Sequence, residues 1–302
     1  MTTTFTPATA SNTGIGGTVK KYTWNGQDTE YQIAYETLGT GEPVLLLPAF
    51  STVSTRGEMK EIARMLSSEY RVVALDWLGF GESDRPRVDY NPDLFNKLLQ
   101  DFVSSVFEQP VIILAAGHAA GYALQLANTQ PEMVAKLVLI APTWQGPLRV
   151  MGLPQTIRDG VKNLVRSPIV GQLLYYFNTT PSFLRLMYKR HVYVDEAKLT
   201  PEFIAQKHQV TQKTGSRYAP AAFVTGNLDP ASSREEMLNY FRSLSMPILL
   251  VLAEQAPPQS KAEMTSMAKL ERVQAIKLSG TLGIHEEYPE AIMSSIGDFL
   301  RA

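Results

Sequence analysis

Four histidines and no cysteine leave this 302-residue chain few groups for covalent or acid–base chemistry. His118 lies in Gly117-His118-Ala119-Ala120-Gly121, between Val111-Ile112-Ile113-Leu114-Ala115-Ala116 and Tyr122-Ala123-Leu124-Gln125-Leu126-Ala127. The first flank reads as a buried strand and the second as a helix. A glycine-flanked turn from strand into helix can hold a nucleophile exposed on a strained backbone, because glycine permits the tight path. The central position, 119, is alanine, and a methyl group cannot attack a carbonyl. His285, in Gly283-Ile284-His285-Glu286-Glu287-Tyr288-Pro289, suits a general base, since imidazole titrates near pH ~6.5. His118 reads as packing beside the site, and His191 and His208 as ordinary surface or core residues. No His-x-x-x-His spacing occurs, and thiolate ligands are excluded, so no metal is expected.

The surrounding pattern supplies the elements that would position these groups. Thr18 to Trp24 and Thr29 to Thr37 read as strands around an Asn25-Gly26 hairpin signal. Pro43 to Leu47, Arg71 to Trp77, Val111 to Ala116 and Lys136 to Ala141 are apolar strands. Met59 to Leu66 and Leu94 to Phe107 repeat apolar residues at helical spacing. Continuously apolar strands alternating with helices predict a parallel sheet buried on both faces. Residues 144–240 break this rhythm with helical pieces punctuated by prolines. The alternation resumes with a strand at Pro247 to Glu254, a helix at Lys261 to Leu270, a strand at Val273 to Leu278 and a helix at Pro289 to Leu300. The domain reading is a flexible tail at 1–17, a core at 18–143 and 241–302, and a helical insert at 144–240.

Composition excludes more than it assigns. Lysine and arginine total 28 against 29 acidic residues, a net charge of −1. That balance gives no electrostatic case for nucleic acid. The N-terminus lacks the basic and apolar regions of a signal peptide, and no apolar run approaches the ~20 residues of a membrane span. A cytoplasmic location, with no transmembrane segment, is the expectation.

Taken together, these motifs resemble the α/β-hydrolase superfamily. Gly117 to Gly121 is similar to its Gly-x-Ser-x-Gly nucleophile elbow. Asp76-Trp77-Leu78-Gly79-Phe80-Gly81-Glu82-Ser83-Asp84-Arg85-Pro86 is similar to the turn after its fourth strand, and Gly283 to Pro289 to its histidine loop. The overall look is of the cap-bearing group of haloalkane dehalogenases, epoxide hydrolases and esterases, with some likeness to cyanobacterial and plastid members. The resemblance implies an α/β-hydrolase fold, a mostly parallel sheet with a helical cap inserted after strand 6, and no cofactor.

It also implies roles for single residues. Ala119 takes the nucleophile position and His285 the base. The usual acid position reads Ala256, leaving Glu254 as the candidate partner of His285. Phe50 and Ala120 would offer oxyanion N–H groups. Ser51, Ser54 and Thr55 bring hydroxyls to the same loop, and Pro142-Thr143-Trp144 offers no alternative acid. Asp76, Gly79, Gly81 and Ser83 would hold the turn, and Asp84 and Arg85 would form an ion pair. Ser51, His118, Trp144, Tyr175, Tyr176 and Phe177 would line a pocket for a small lipophilic molecule. Three functions follow: a binding protein inactive in serine-type hydrolysis, an ester hydrolase whose serine is replaced, or an enzyme using His285 as a base without a nucleophile.

Overall fold

The computed structural model describes residues 13–302. Eight strands form one sheet in the order β1-β2-β4-β3-β5-β6-β7-β8. They are β1 (Thr18–Gly26), β2 (Thr29–Leu38), β3 (Glu42–Leu47), β4 (Tyr70–Leu75), β5 (Val111–Ala116), β6 (Val134–Ile140), β7 (Ile248–Ala253) and β8 (Val273–Leu278). β1–β2 and β2–β4 pair antiparallel, and every other pairing is parallel. β5 and β7 are buried along their whole length, as continuous apolar runs between two helical layers require.

Three helices build the first half: α1 (Lys60–Leu66), α2 (Pro92–Val106) and α3 (Ala119–Thr129). α2 starts cleanly because the Asn91 side chain accepts from Leu94 N at 2.9 Å and Pro92 needs no N–H partner. Its buried face is Leu94, Phe95, Leu98, Leu99, Phe102 and Val103. After β6 come α4 (Pro147–Val150), α5 (Gln155–Arg166), α6 (Val170–Asn178), α7 (Pro181–Met187), α8 (Pro201–Thr211), α9 (Tyr218–Val224) and α10 (Arg234–Arg242). The core then closes with α11 (Pro258–Met267), α12 (Ile284–Glu287) and α13 (Pro289–Arg301).

Three boundaries differ from the sequence reading. The hairpin turn is at Gln27-Asp28, with φ of 51° and 58°, and Asn25 and Gly26 are paired strand residues. Two consecutive positive φ values are what a tight hairpin demands, and the strand register set where they fall. The expected tail at 1–17 is anchored from Thr13 onward, where Ile15 is buried and its N–H donates to Glu36 Oε2 at 2.8 Å. Residues 1–12 of that tail lie outside the described residues. The last part of the expected insert, α10, packs on α3 of the core: Asn128 Nδ2 donates to Tyr240 O at 2.7 Å. The Met237 sulfur lies 3.7 Å from where a Cβ on Gly121 would stand.

The cap helices carry a small core of their own. Leu184, Tyr188, Tyr193, Leu199 and Ile204 pack around Val53, which comes from the loop after β3. One core side chain thus seats the cap over the C-terminal end of the sheet.

Candidate active site

The strand-to-helix turn bends at Gly117, whose φ is +53°. A side chain there meets the left-handed penalty that glycine avoids. His118 already has helical angles (φ −65°, ψ −27°), and Ala119 is the first residue of α3, fully buried. The apex is therefore Gly117, two residues before the position expected from the spacing. Counting between flanking glycines misplaced it because the chain turns on the residue directly after Ala116, where β5 ends. Ala120 also departs from expectation: its N–H donates to Gly117 O at 3.3 Å and closes the turn.

The loop after β3 faces this apex. A Cβ on Gly117 would lie 3.1 Å from Ala49 Cβ and 3.7 Å from Thr143 Oγ1. Trp77 Nε1 donates to Pro48 O at 3.2 Å and holds the loop to the β4 turn. Phe50, next on the loop, is buried. Its ring packs against Trp77, Phe80, Phe95, Tyr122, His118 and Phe223, with centroids 5.2–6.2 Å away. Ser51 Oγ accepts from Val53 N at 3.1 Å, so it serves the loop's own turn.

His118 is buried between two partners. Its Nδ1 is 2.7 Å from Thr143 Oγ1 and its Nε2 is 3.4 Å from Asp229 Oδ1. Asp229 is itself fixed by Gly146 N at 2.7 Å and Arg149 Nη1 at 2.9 Å. Thr143 is pinned to the turn, its N–H donating to Gly117 O at 3.2 Å. Two residues before it, just beyond β6, Ala141 is a non-glycine residue with φ +43°.

His285 is buried on α12, after β8, and its Nε2 lies 3.4 Å from Glu58 Oε2. Its Nδ1 is buried without a hydrogen-bond partner among the described residues. Glu58 sits on the 3-10 turn Arg56–Met59. Burial pushes its carboxyl above the ordinary carboxylate range, against the opposing pull of His285 and Lys207. Beside it Lys207 of α8 pairs with Glu286 at 2.6 Å, and Glu287 accepts from Val194 N and Asp195 N at 2.9 and 2.7 Å. α12 thus carries the histidine and ties the cap to the core.

Glu254 does not join this group. Its side chain is exposed, its N–H donates to Leu278 O at 3.0 Å, and its carbonyl accepts from Lys261 Nζ at 2.7 Å. Ala256 closes a tight turn there, donating to Ala253 O. Trp144 points to α11, with Nε1 donating to Glu263 Oε2 at 3.2 Å and Arg149 over its ring at 5.0 Å. On α6 the inward residues are Gly171 and Tyr175. Tyr176 and Phe177 are rotated away and are 53% and 59% exposed, so they do not line an enclosed pocket. Asp84 and Arg85 form no ion pair with each other among the described residues; Asp84 instead accepts from Gln32 N at 2.7 Å.

Asp76 and Ser83 hold the turn as expected. Asp76 accepts from Arg56 N at 2.6 Å and Glu82 N at 2.7 Å, and Ser83 Oγ donates to Asp76 O at 2.6 Å. The Arg56 guanidinium, fully buried, bridges Asp76, Glu36 and Glu82. Sequence reasoning missed Arg56, Glu58 and Asp229. Glu58 is 227 residues from His285 and Asp229 is 111 from His118, and no local motif marks either.

A mostly parallel eight-stranded sheet, a strand–turn–helix elbow bent at a left-handed residue and a buried histidine beyond the last strand define an α/β-hydrolase-fold protein. The chain belongs to the alpha/beta hydrolase family, whose model matches residues 44–294. It is 30% identical over 117 residues to a 2-hydroxy-6-oxo-6-(2'-aminophenyl)hexa-2,4-dienoic acid hydrolase of Metapseudomonas resinovorans, covering 38% of this chain and 39% of that protein. To epoxide hydrolase 4 of Homo sapiens it is 33% identical over 121 residues, covering 38% and 32%. The chain spans about half or less of the length of the curated relatives it matches. Among solved structures, Cfl2 of Burkholderia cenocepacia superposes with a TM-score of 0.72 at 21% identity, covering 94% and 96% of the two chains. No helix of the described residues is long and apolar enough to cross a membrane.

Proposed function

We propose that this protein holds a small lipophilic molecule between core and cap, beside Gly117, and does not run serine-type hydrolysis through its elbow. One observation carries the reading: the apex residue has no side chain. The aromatic rings packed around Phe50 make the neighbourhood of the elbow apolar, which favours a lipophilic ligand over a polar one. A serine lost at position 119 is the weaker reading, because a hydroxyl there would sit in the buried first turn of α3. The Glu58–His285 pair supports, as a second reading, proton abstraction by His285 without a nucleophile.

The test is calorimetric titration with acetophenone, a ketone that cannot be hydrolysed. The expected result is saturable one-site binding with a negative heat-capacity change, the mark of apolar burial. Ala49→Leu, which enlarges the side chain facing Gly117, should weaken it. Absence of saturable binding, or equal binding by Ala49→Leu, overturns the assignment. For the second reading, His285→Ala should abolish deuterium exchange at the ketone's α-carbon.

A further inference from the structure

We propose that Thr143, His118 and Asp229 form an acyl-transfer site of their own, with the Thr143 hydroxyl as nucleophile toward small activated esters. The three groups stand in the order such chemistry needs: a hydroxyl 2.7 Å from a ring nitrogen, and the other nitrogen 3.4 Å from a carboxylate. Asp229 accepts Nε2–H, which leaves the Nδ1 lone pair facing Thr143 and sets the tautomer a base requires. The carboxylate cannot drift, because Gly146 N–H and Arg149 hold it.

Location supports the role. Thr143 Oγ1 lies 3.7 Å from where a Cβ on Gly117 would be, so it occupies the region into which an elbow nucleophile would project. It reaches there from the neighbouring strand, just beyond the C-terminal end of β6, the end of an open α/β sheet where ligands bind. Thr143 is only half-buried, although His118 and Asp229 are buried. The left-handed Ala141, two residues before Thr143, is a backbone strain of the kind that clusters at functional sites. Of the amides where the turn enters α3, those of Ala120 and Gly121 donate to Gly117 O and His118 O, which leaves those of His118 and Ala119 as the donors for a developing oxyanion.

In the step itself, the Thr143 Oγ–acyl carbon bond forms and the ester C–O bond breaks. The hydroxyl proton passes to His118 Nδ1 and from there to the departing alkoxide or phenolate. Water added through the same imidazole releases the carboxylic acid and restores Thr143.

The experiment treats the full chain with p-nitrophenyl acetate and reads p-nitrophenolate release, intact mass and the acylated peptide. One acetyl group on Thr143 is expected, retained in Thr143→Ser and absent in the nearly isosteric Thr143→Val. His118→Asn should slow acetylation about a hundredfold or more, the usual weight of a general base. Asp229→Asn tests positioning: it should lower the rate and shift its pH profile, whereas a purely structural role would leave that profile in place. Acetylation only at lysine or tyrosine, or an unchanged rate in Thr143→Val, overturns the proposal.

Discussion

Placing a side chain on Gly117 tests the geometry on which the functional reading rests. Gly117→Ser puts a Cβ on a backbone with φ +53°, which costs about 1–2 kcal/mol for an L-residue. That Cβ also comes to 3.1 Å from Ala49 Cβ, so the half-buried loop after β3 must give by a few tenths of an ångström. We expect a total loss of about 1–3 kcal/mol, within the 5–15 kcal/mol typical of a folded domain, so the protein stays folded. Ala119→Ser provides the contrast. It changes a helical residue with ordinary angles, and the propensity cost is about 0.5 kcal/mol. Urea unfolding of both variants measures the difference, and p-nitrophenyl butyrate hydrolysis reads the chemistry. Ester turnover should rise in Gly117→Ser and stay at the starting level in Ala119→Ser. A rise confined to Ala119→Ser, or a Gly117→Ser variant as stable as the parent, would refute the placement of the apex.

Three further outcomes follow from the same contacts. Arg56→Met leaves Glu36 and Asp76 buried without their counter-ion and should cost about 3–5 kcal/mol by denaturant unfolding. Glu58 has a native pKa raised above the ordinary 4.5, so above about that pH the folded state keeps a proton that the unfolded chain has released. Its contribution to stability is therefore complete below pH about 4.5 and fades as pH climbs through the raised native value. Glu58→Gln should flatten that decline in unfolding experiments run from pH 4 to 8. Glu254→Gln should change stability by less than about 0.5 kcal/mol and leave ligand binding untouched, because its side chain is exposed and the carboxylate that meets His285 is Glu58. A large effect on binding would return Glu254 to the site.

The strands β3 to β7, the helices α2 and α3 and the run of helices after β6 were legible from the order of residues, whereas the segment carrying His285, expected as a loop, is the short helix α12. Apolar runs and 3.6-residue periodicity are local signals, and a buried sheet must display them wherever it lies. The elbow was legible as a place but not as a geometry. Its glycines mark a tight turn, while the residue that takes the positive φ depends on where β5 stops pairing with β3 and β6. Partners were the least legible. Glu254 is close to the expected acid position in the chain, yet Glu58 reaches His285 by packing of the Arg56–Met59 turn against α12. Asp229 reaches His118 from the segment between α9 and α10, and Thr143 reaches the apex from just beyond the next strand. The sequence by itself determined the scaffold and the absence of a serine at the elbow. The tertiary structure alone decided which carboxylate serves which imidazole, and that a threonine hydroxyl stands beside Gly117. Backbone patterns are dictated by near neighbours along the chain, whereas hydrogen bonds of 2.7–3.4 Å are made by whatever the fold brings together.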